Sequence, residues 1–318
     1  MIPSLAHFIW LGRRLPWLNA LSPKTCALHG GFERSLLHHT DEIDPADLAE
    51  LGGVPGLELV RLVPEGLLES TAGPGLVDIY RTLVTPAAQA NVLRIALLSS
   101  QGGVYLDMDT VTIASLSPLR AEAKVFFGLE HLAYPGSVYR SRSPGPWLGA
   151  FARAAVRDIL RRVPQGYRAF RSVSKHYPSA ANNAVIGATP GHPFLEAMTN
   201  LMLNMSSAER RVRYALGTTL LQMVAAEPWG SDVVTHPPPV FYPLGPVISE
   251  HWFRERSKAR LDDVLDERTR VVHWYASVRT ARHVERMDRA WIERNADRQL
   301  ISALLQRFDQ SPVATSTR

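Results

Sequence analysis

Asp107 and Asp109, two residues apart, end a short apolar run at 104–106. On an extended chain, side chains two apart point to the same face. Two carboxylates on one side, just beyond a buried strand, form a hard-oxygen site. Such a site suits Mg²⁺ or Mn²⁺ bound jointly with a diphosphate. A D-x-D alone reads equally well as two acids that cap a strand and face water. The order of elements around it sharpens the choice. Residues 85–101 open with an N-cap threonine and a proline at the first helical position, and so predict a helix. It stops at Gly102-Gly103, a pair that turns a chain out of a helix. Val104, Tyr105 and Leu106 follow as a β-favouring, buried strand. On the helix, Asn91 and Arg94 are three apart and share a face. Arginine suits fork-like contacts to anions, and asparagine offers both a donor and an acceptor.

Residues 90–111, ANVLRIALLSSQGGVYLDMDTV, resemble the sugar-nucleotide-binding core of the DXD glycosyltransferases. That family includes yeast initiating α-mannosyltransferases, bacterial capsule and polysaccharide enzymes, and the glucosylating domains of clostridial toxins. Its pattern sets an acid and an arginine three apart on a helix, then GG-(I/V)-Y-L-D-x-D. Here Arg94 takes the arginine place and Asn91 stands where the acid usually does. The resemblance covers about residues 1–280 in scattered blocks. IPSLAHFIWLG keeps Ile2, Pro3, His7, Trp10 and Gly12 of an opening motif. ANNAVIGATPGHPFLEAM, ALGTTLLQMVA, PPPVFYPL and RVVHWYAS are similar to later family blocks, with Thr218 in place of a proline and Val278 in place of a closing tryptophan.

The resemblance implies an α/β fold of the glycosyltransferase A type, a Rossmann-like mixed sheet flanked by helices, with helical insertions. It implies transfer of a sugar from a UDP- or GDP-sugar to an unknown hydroxyl acceptor, with retention of configuration. Asp107, Asp109 and His273 would hold Mn²⁺ or Mg²⁺. Asp107, Asp109, Arg94 and Asn91 form the implied catalytic set. Trp10 would stack on the nucleotide base, and Asn91, Arg94, Asn182, Asn183, Trp274 and Ser277 would contact the rest of the donor. Structural readings stand beside these: Trp10 as a core residue, Asn182 and Asn183 as turn formers, and His273 as a strand-end histidine. Two rival functions also stay open: a nucleotide-sugar hydrolase or pyrophosphorylase-like enzyme, and a catalytically idle sugar-nucleotide-binding protein.

The bulk properties fit. The chain has 318 residues, 46% of them hydrophobic, ample for a large core. Net charge is +5 and the pI near 9.5. The arginine-rich stretches 153–171 and 254–270 are interleaved with acids and apolar residues, which favours solvated helix faces over a nucleic-acid groove. A mildly basic surface attracts an anionic donor. The single cysteine, Cys26, fits a reducing compartment. The start lacks the basic and apolar regions of a signal peptide, and no run reaches the ~20 apolar residues of a membrane span. A cytoplasmic protein is expected.

In chain order, strands are expected at 5–11, 35–40, 57–63, 125–129, 184–188 and 237–244. Helices are expected at 15–37, 44–51, 147–162 and 215–225, and a polar, arginine-rich helical region at 284–308. Residues 65–86 read as a mobile connector and 140–180 as an acceptor-side insertion. One domain is expected over 1–308, followed by a disordered tail at 309–318.

Overall fold

The structure, a computed structural model, describes residues 1–255, 259–276 and 281–309. The tail after 309 therefore lies outside the described residues. Seven strands build the main sheet: β1 (Leu5–Trp10), β2 (Arg34–His39), β3 (Leu57–Arg61), β4 (Gly103–Leu106), β6 (Val125–His131), β7 (Ser179–Ala188) and β8 (Val233–His236). Their order is β3-β2-β1-β4-β7-β6-β8. β7 is antiparallel to both neighbours and every other pairing is parallel. Two short strands, β5 (Thr110–Thr112) and β9 (Val271–His273), pair antiparallel in a separate ladder. The expected mixed sheet with flanking helices is what the chain forms. The inner strands run four buried residues in succession, as strands covered on both faces must.

Helices α1 (Trp17–His29), α2 (Pro64–Ala72), α3 (Pro74–Thr82) and α4 (Pro86–Gln101) lie in the amino-terminal part of the chain. α4 starts where expected: the Thr85 hydroxyl accepts from the Ala88 N–H, with Pro86 at the first position. It buries Val92, Leu93, Ile95, Ala96, Leu97 and Leu98. It ends at Gly102 with φ +65°, and Gly103 follows at φ +101°. Side chains are excluded there, because a Cβ on Gly103 would lie 2.6 Å from the Leu5 carbonyl and one on Gly102 2.6 Å from the Pro190 ring.

His7, on the strand beside β4, holds that turn. Its Nε2 lies 2.8 Å from the Gly102 carbonyl, so Nε2 carries the proton. Nδ1 must then accept, and it receives the His38 Nε2–H at 3.0 Å. The remaining His38 Nδ1 is buried without a partner among the described residues. Burial pushes His7 down from 6.5 to about 4 and His38 to about 3, so both rings stay neutral in the folded chain. The unfolded chain then binds more protons than the native one below pH 6.5. Stability is full above that pH and is lost as pH falls toward 4, by about 1.4 kcal/mol per pH unit for each ring. Denaturant melts at pH 7 and 4.5 should therefore differ more in the wild type than in His38→Gln. An equal pH dependence in both would rule the pair out as its source.

Several segments depart from expectation. Residues 65–86 are not a mobile connector: α2 and α3 occupy them, each with proline at its first turn, separated by Gly73 at φ +69°. They bury Leu68, Leu76, Val77 and Ile79. α1 stops at His29, short of 37. Residues 237–244 contain a helical turn, Pro238–Phe241, and no strand, because prolines cannot donate to a ladder. The region 284–308 holds the helices Arg289–Asn295 and Leu300–Phe308, whose inner faces bury Ile292, Leu300, Ile301, Leu304 and Leu305. No described helix is long and apolar enough to cross a membrane.

Candidate active site

The two acids stand where the main sheet meets the small ladder. Asp107 follows β4, and its N–H donates to the Ala184 carbonyl of β7 at 2.8 Å. Asp109 precedes β5, whose pairing sets Thr110 opposite His273. The turn between them is tied to α1: the Asn19 amide and the Ser22 hydroxyl both donate to the Met108 carbonyl at 2.8 Å. Each carboxylate then meets a different set of partners.

Asp107 Oδ1 lies 3.0 Å from Arg94 Nη2 and accepts from the Tyr105 hydroxyl at 2.9 Å. Its Oδ2 has no partner among the described residues. Arg94 is buried, with its guanidinium 4.2 Å from the Tyr105 ring centroid, and it also donates to the Asn183 carbonyl. Asp109 is engaged on both oxygens: Oδ1 lies 2.8 Å from His273 Nε2, and Oδ2 accepts the Ala276 N–H at 2.7 Å. Its backbone carbonyl accepts the Trp274 N–H at 2.9 Å. Both carboxylates stay partly open, with side chains 25% and 15% exposed.

The electrostatics separate the pair. Burial raises the Asp107 carboxyl; Arg94 opposes this, and the Asp109 charge adds to it, leaving Asp107 above the ordinary range. Burial also works to raise Asp109, but His273 and the Ala276 amide outweigh it and hold the group low. Burial likewise disfavours charge on His273, yet Asp109 prevails and raises it. The site thus carries more negative charge than Arg94 alone balances. One donor atom each from Asp107, Asp109 and His273 lies within 4.8 Å of the others. Two carboxylates and an imidazole around a partly open point suit a divalent cation, so these residues fit the metal that the resemblance implies.

Beside the acids, a small polar cluster forms against α4. Asn183 Nδ2 donates to Asn91 Oδ1 at 2.8 Å. The irregular turn Ala215–Thr219 closes over both, and a Cβ on Gly217 would lie 2.9 Å from Asn183 and 3.0 Å from Asn91. Asn183 sits within β7, not ahead of it as expected. The pairing to β6 jumps from Phe127–Ile186 to Gly128–Asn182, so residues 183–185 bulge there. Such bulges re-aim side chains, and this one aims Asn183 at Asn91 and Arg94.

The other expected contacts are distributed unevenly. Asn182 is buried, its amide spent on Glu130 at 2.6 Å and on the Ala184 N–H at 2.8 Å. Trp274 is fully buried with its ring against Phe253, so its indole is not presented to the cleft. Trp10 lies half-buried at the carboxyl end of β1, its indole N–H donating to the Arg14 carbonyl at 3.1 Å. Ser277 lies outside the described residues. Glu130 and Tyr275 were not expected. Glu130, 6% exposed, accepts from Asn182 and from the Tyr275 hydroxyl at 2.7 Å, and burial pushes its carboxyl up. Tyr275 takes a left-handed backbone, φ +60°, and its ring lies 4.0 Å from that of His273. A lone acid inside the apolar strand VFFGLEH is the signal that could have found Glu130.

No curated protein matches the chain. Among solved structures it is similar to the PaToxG glycosyltransferase, at 14% identity over 70% of this chain and 68% of that one, with a TM-score of 0.46. It is similar to the galactosyltransferase LgtC, solved in complex with donor and acceptor sugar analogs, at 12% identity over 90% and 98%, with a TM-score of 0.40. The glycosyltransferase GlyE of Streptococcus pneumoniae matches at 10% identity over 99% and 66%, with a TM-score of 0.42. Residues 46–126 match the family described as the glycosyltransferase sugar-binding region containing the DXD motif. That match spans α4, β4 and Asp107-Met108-Asp109, so this stretch of the chain is similar to the sugar-binding region of that family.

Proposed function

We propose that the chain is a metal-dependent transferase, one domain over residues 1–308, that moves a sugar from a UDP- or GDP-sugar to a hydroxyl acceptor with retention of configuration. The observation that carries this reading is the Asp107–Asp109–His273 cluster set directly against Arg94, Asn91 and Asn183. Asp107, Asp109 and His273 would hold a Mn²⁺ or Mg²⁺ ion, which would supply charge neutralisation for a departing diphosphate. Arg94 keeps Asp107 in place and adds positive charge on the same side. Asn91 and Asn183 present amide donors and acceptors suited to sugar hydroxyls. Glu130 is sealed in and engaged by two partners, so it is not offered as a nucleophile, which supports transfer without a covalent sugar–enzyme intermediate.

A thermal-shift series with UDP- and GDP-sugars, with Mn²⁺ or with EDTA, tests this. The right donor with Mn²⁺ should stabilise the fold by ~2–4 kcal/mol at a hundred- to thousandfold excess over its dissociation constant. No shift with any nucleotide sugar would sink the proposal, and sugar release unchanged by any acceptor would make the protein a hydrolase. Trp10→Ala should weaken the nucleotide by about 1–3 kcal/mol, as loss of base–aromatic stacking does. Unchanged nucleotide affinity with a lower melting temperature would place Trp10 in the core instead.

A further inference from the structure

The insertion between β6 and β7 carries a feature outside the residues grouped around Asp107 and Asp109. Its long helix, Pro144–Arg162, is apolar on two sides. One side, with Ala150, Ala154 and the stem of Arg161, is buried against the fold. The opposite side faces outward and is just as apolar. Leu148 is 72% exposed, Phe151 57% and Ile159 60%, and Val156 and Val163 continue the stripe. Recurrence at 148, 152, 155 and 159, filled by Leu, Ala, Ala and Ile, follows the helical period, so these side chains form one continuous face. Exposed apolar faces of this kind mark binding surfaces.

Charge indicates what covers it. Residues 141–176 hold eight lysines and arginines and one acid, a net charge of +7, against +5 for the whole chain. The positive excess of the protein is thus confined to the segment bearing the apolar stripe. Arg142, Arg162, Arg171 and Lys175 are exposed there. Aromatic rings gather at the start of the helix, where Trp147 lies 5.8 Å from Tyr139 and 6.1 Å from Phe151. Apolar face, flanking cations and amphipathic aromatic rings together match an anionic bilayer surface. The placement also fits. β4 and β6 are both antiparallel to β7, so β6 runs parallel to β4, and the insertion leaves the sheet at the end where Asp107 and Asp109 stand.

We propose that the outer face of the helix Pro144–Arg162 docks the protein on an anionic lipid surface, lying in the interface without spanning it. Co-sedimentation of the full chain with vesicles tests this, using phosphatidylcholine alone or mixed with phosphatidylglycerol. Binding to the mixed vesicles should be at least about tenfold tighter and should weaken with salt. The double variant Leu148→Gln, Ile159→Gln should lose at least about tenfold of that binding. Arg162→Gln with Arg171→Gln should lose the preference for the anionic vesicles. All four positions are exposed, so melting temperature and donor hydrolysis should not change. Equal binding to both vesicle types, or undiminished binding by the Leu148, Ile159 variant, would overturn the proposal. So would a dimer, seen by sedimentation velocity without lipid, that this variant dissolves, since a second copy of the chain would then cover the face.

Discussion

Asp109→Asn is expected to lower metal-dependent sugar transfer on the order of 100-fold or more, with little change in the fold. The substituted side chain keeps an oxygen for the Ala276 N–H, so the loop after β9 stays anchored. What is lost is the charge facing His273 and one of the three donors clustered within 4.8 Å. Asp107→Asn should act alike on transfer, because the amide oxygen still accepts from Tyr105 and Arg94 but no longer presents a carboxylate to a cation. The measurement is donor turnover and thermal shift in buffer stripped by EDTA and resupplied with Mn²⁺. Wild-type rates from either variant after stripping would end the metal-dependent reading.

Arg94→Met should be the most damaging change to both stability and activity. Arg94 is 4% exposed and joins Asp107, the Asn183 carbonyl and the Tyr105 ring. Removing one partner of a buried pair typically costs about 3–5 kcal/mol, because the other charge is left uncompensated. Asp107 is partly open to water, so the lower end applies, a drop in melting temperature of roughly 4–5 °C. With its counter-charge gone, Asp107 should bind a proton more readily and donor binding should fail. Arg94→Lys should recover only part of the stability, since one ammonium cannot reach both Asp107 Oδ1 and the Asn183 carbonyl as the guanidinium fork does. A lysine variant equal to wild type in donor affinity would show that only the charge matters there.

The parts of this site that local chemistry specifies could be read from the sequence. The Thr85-Pro86 cap, the Gly102-Gly103 stop and the Val-Tyr-Leu run each act within a few residues of themselves, and α4, β4 and the two acids follow in the expected order. The same prolines and glycines misled elsewhere. Pro64 and Pro74 look like loop punctuation, yet both sit in a first helical turn, where a missing N–H costs nothing. Long-range pairing was out of reach. Glu130 meets Tyr275 across 145 residues, and Asn183 faces Asn91 only because β7 bulges against β6. No periodicity records a register shift. The apolar outer face at 148–159 was hidden for a related reason: in sequence it is indistinguishable from the buried face on the other side of the same helix.

The hold on Asp109 has a consequence for how the protein is made. Its imidazole and amide partners are encoded 164 and 167 residues after it. A ribosome adding about 5–20 residues per second needs roughly 10–30 s to travel from Asp109 to Ala276. During that interval the nascent chain already contains β1 to β4, both acids and the α1 contacts to the turn between them, but neither partner of the Asp109 carboxylate. The Asp107–Asp109–His273 cluster is therefore completed late in translation, when β9 zips onto β5. A chain released before residue 271 would keep its DXD motif intact and still lack both partners of the Asp109 carboxylate.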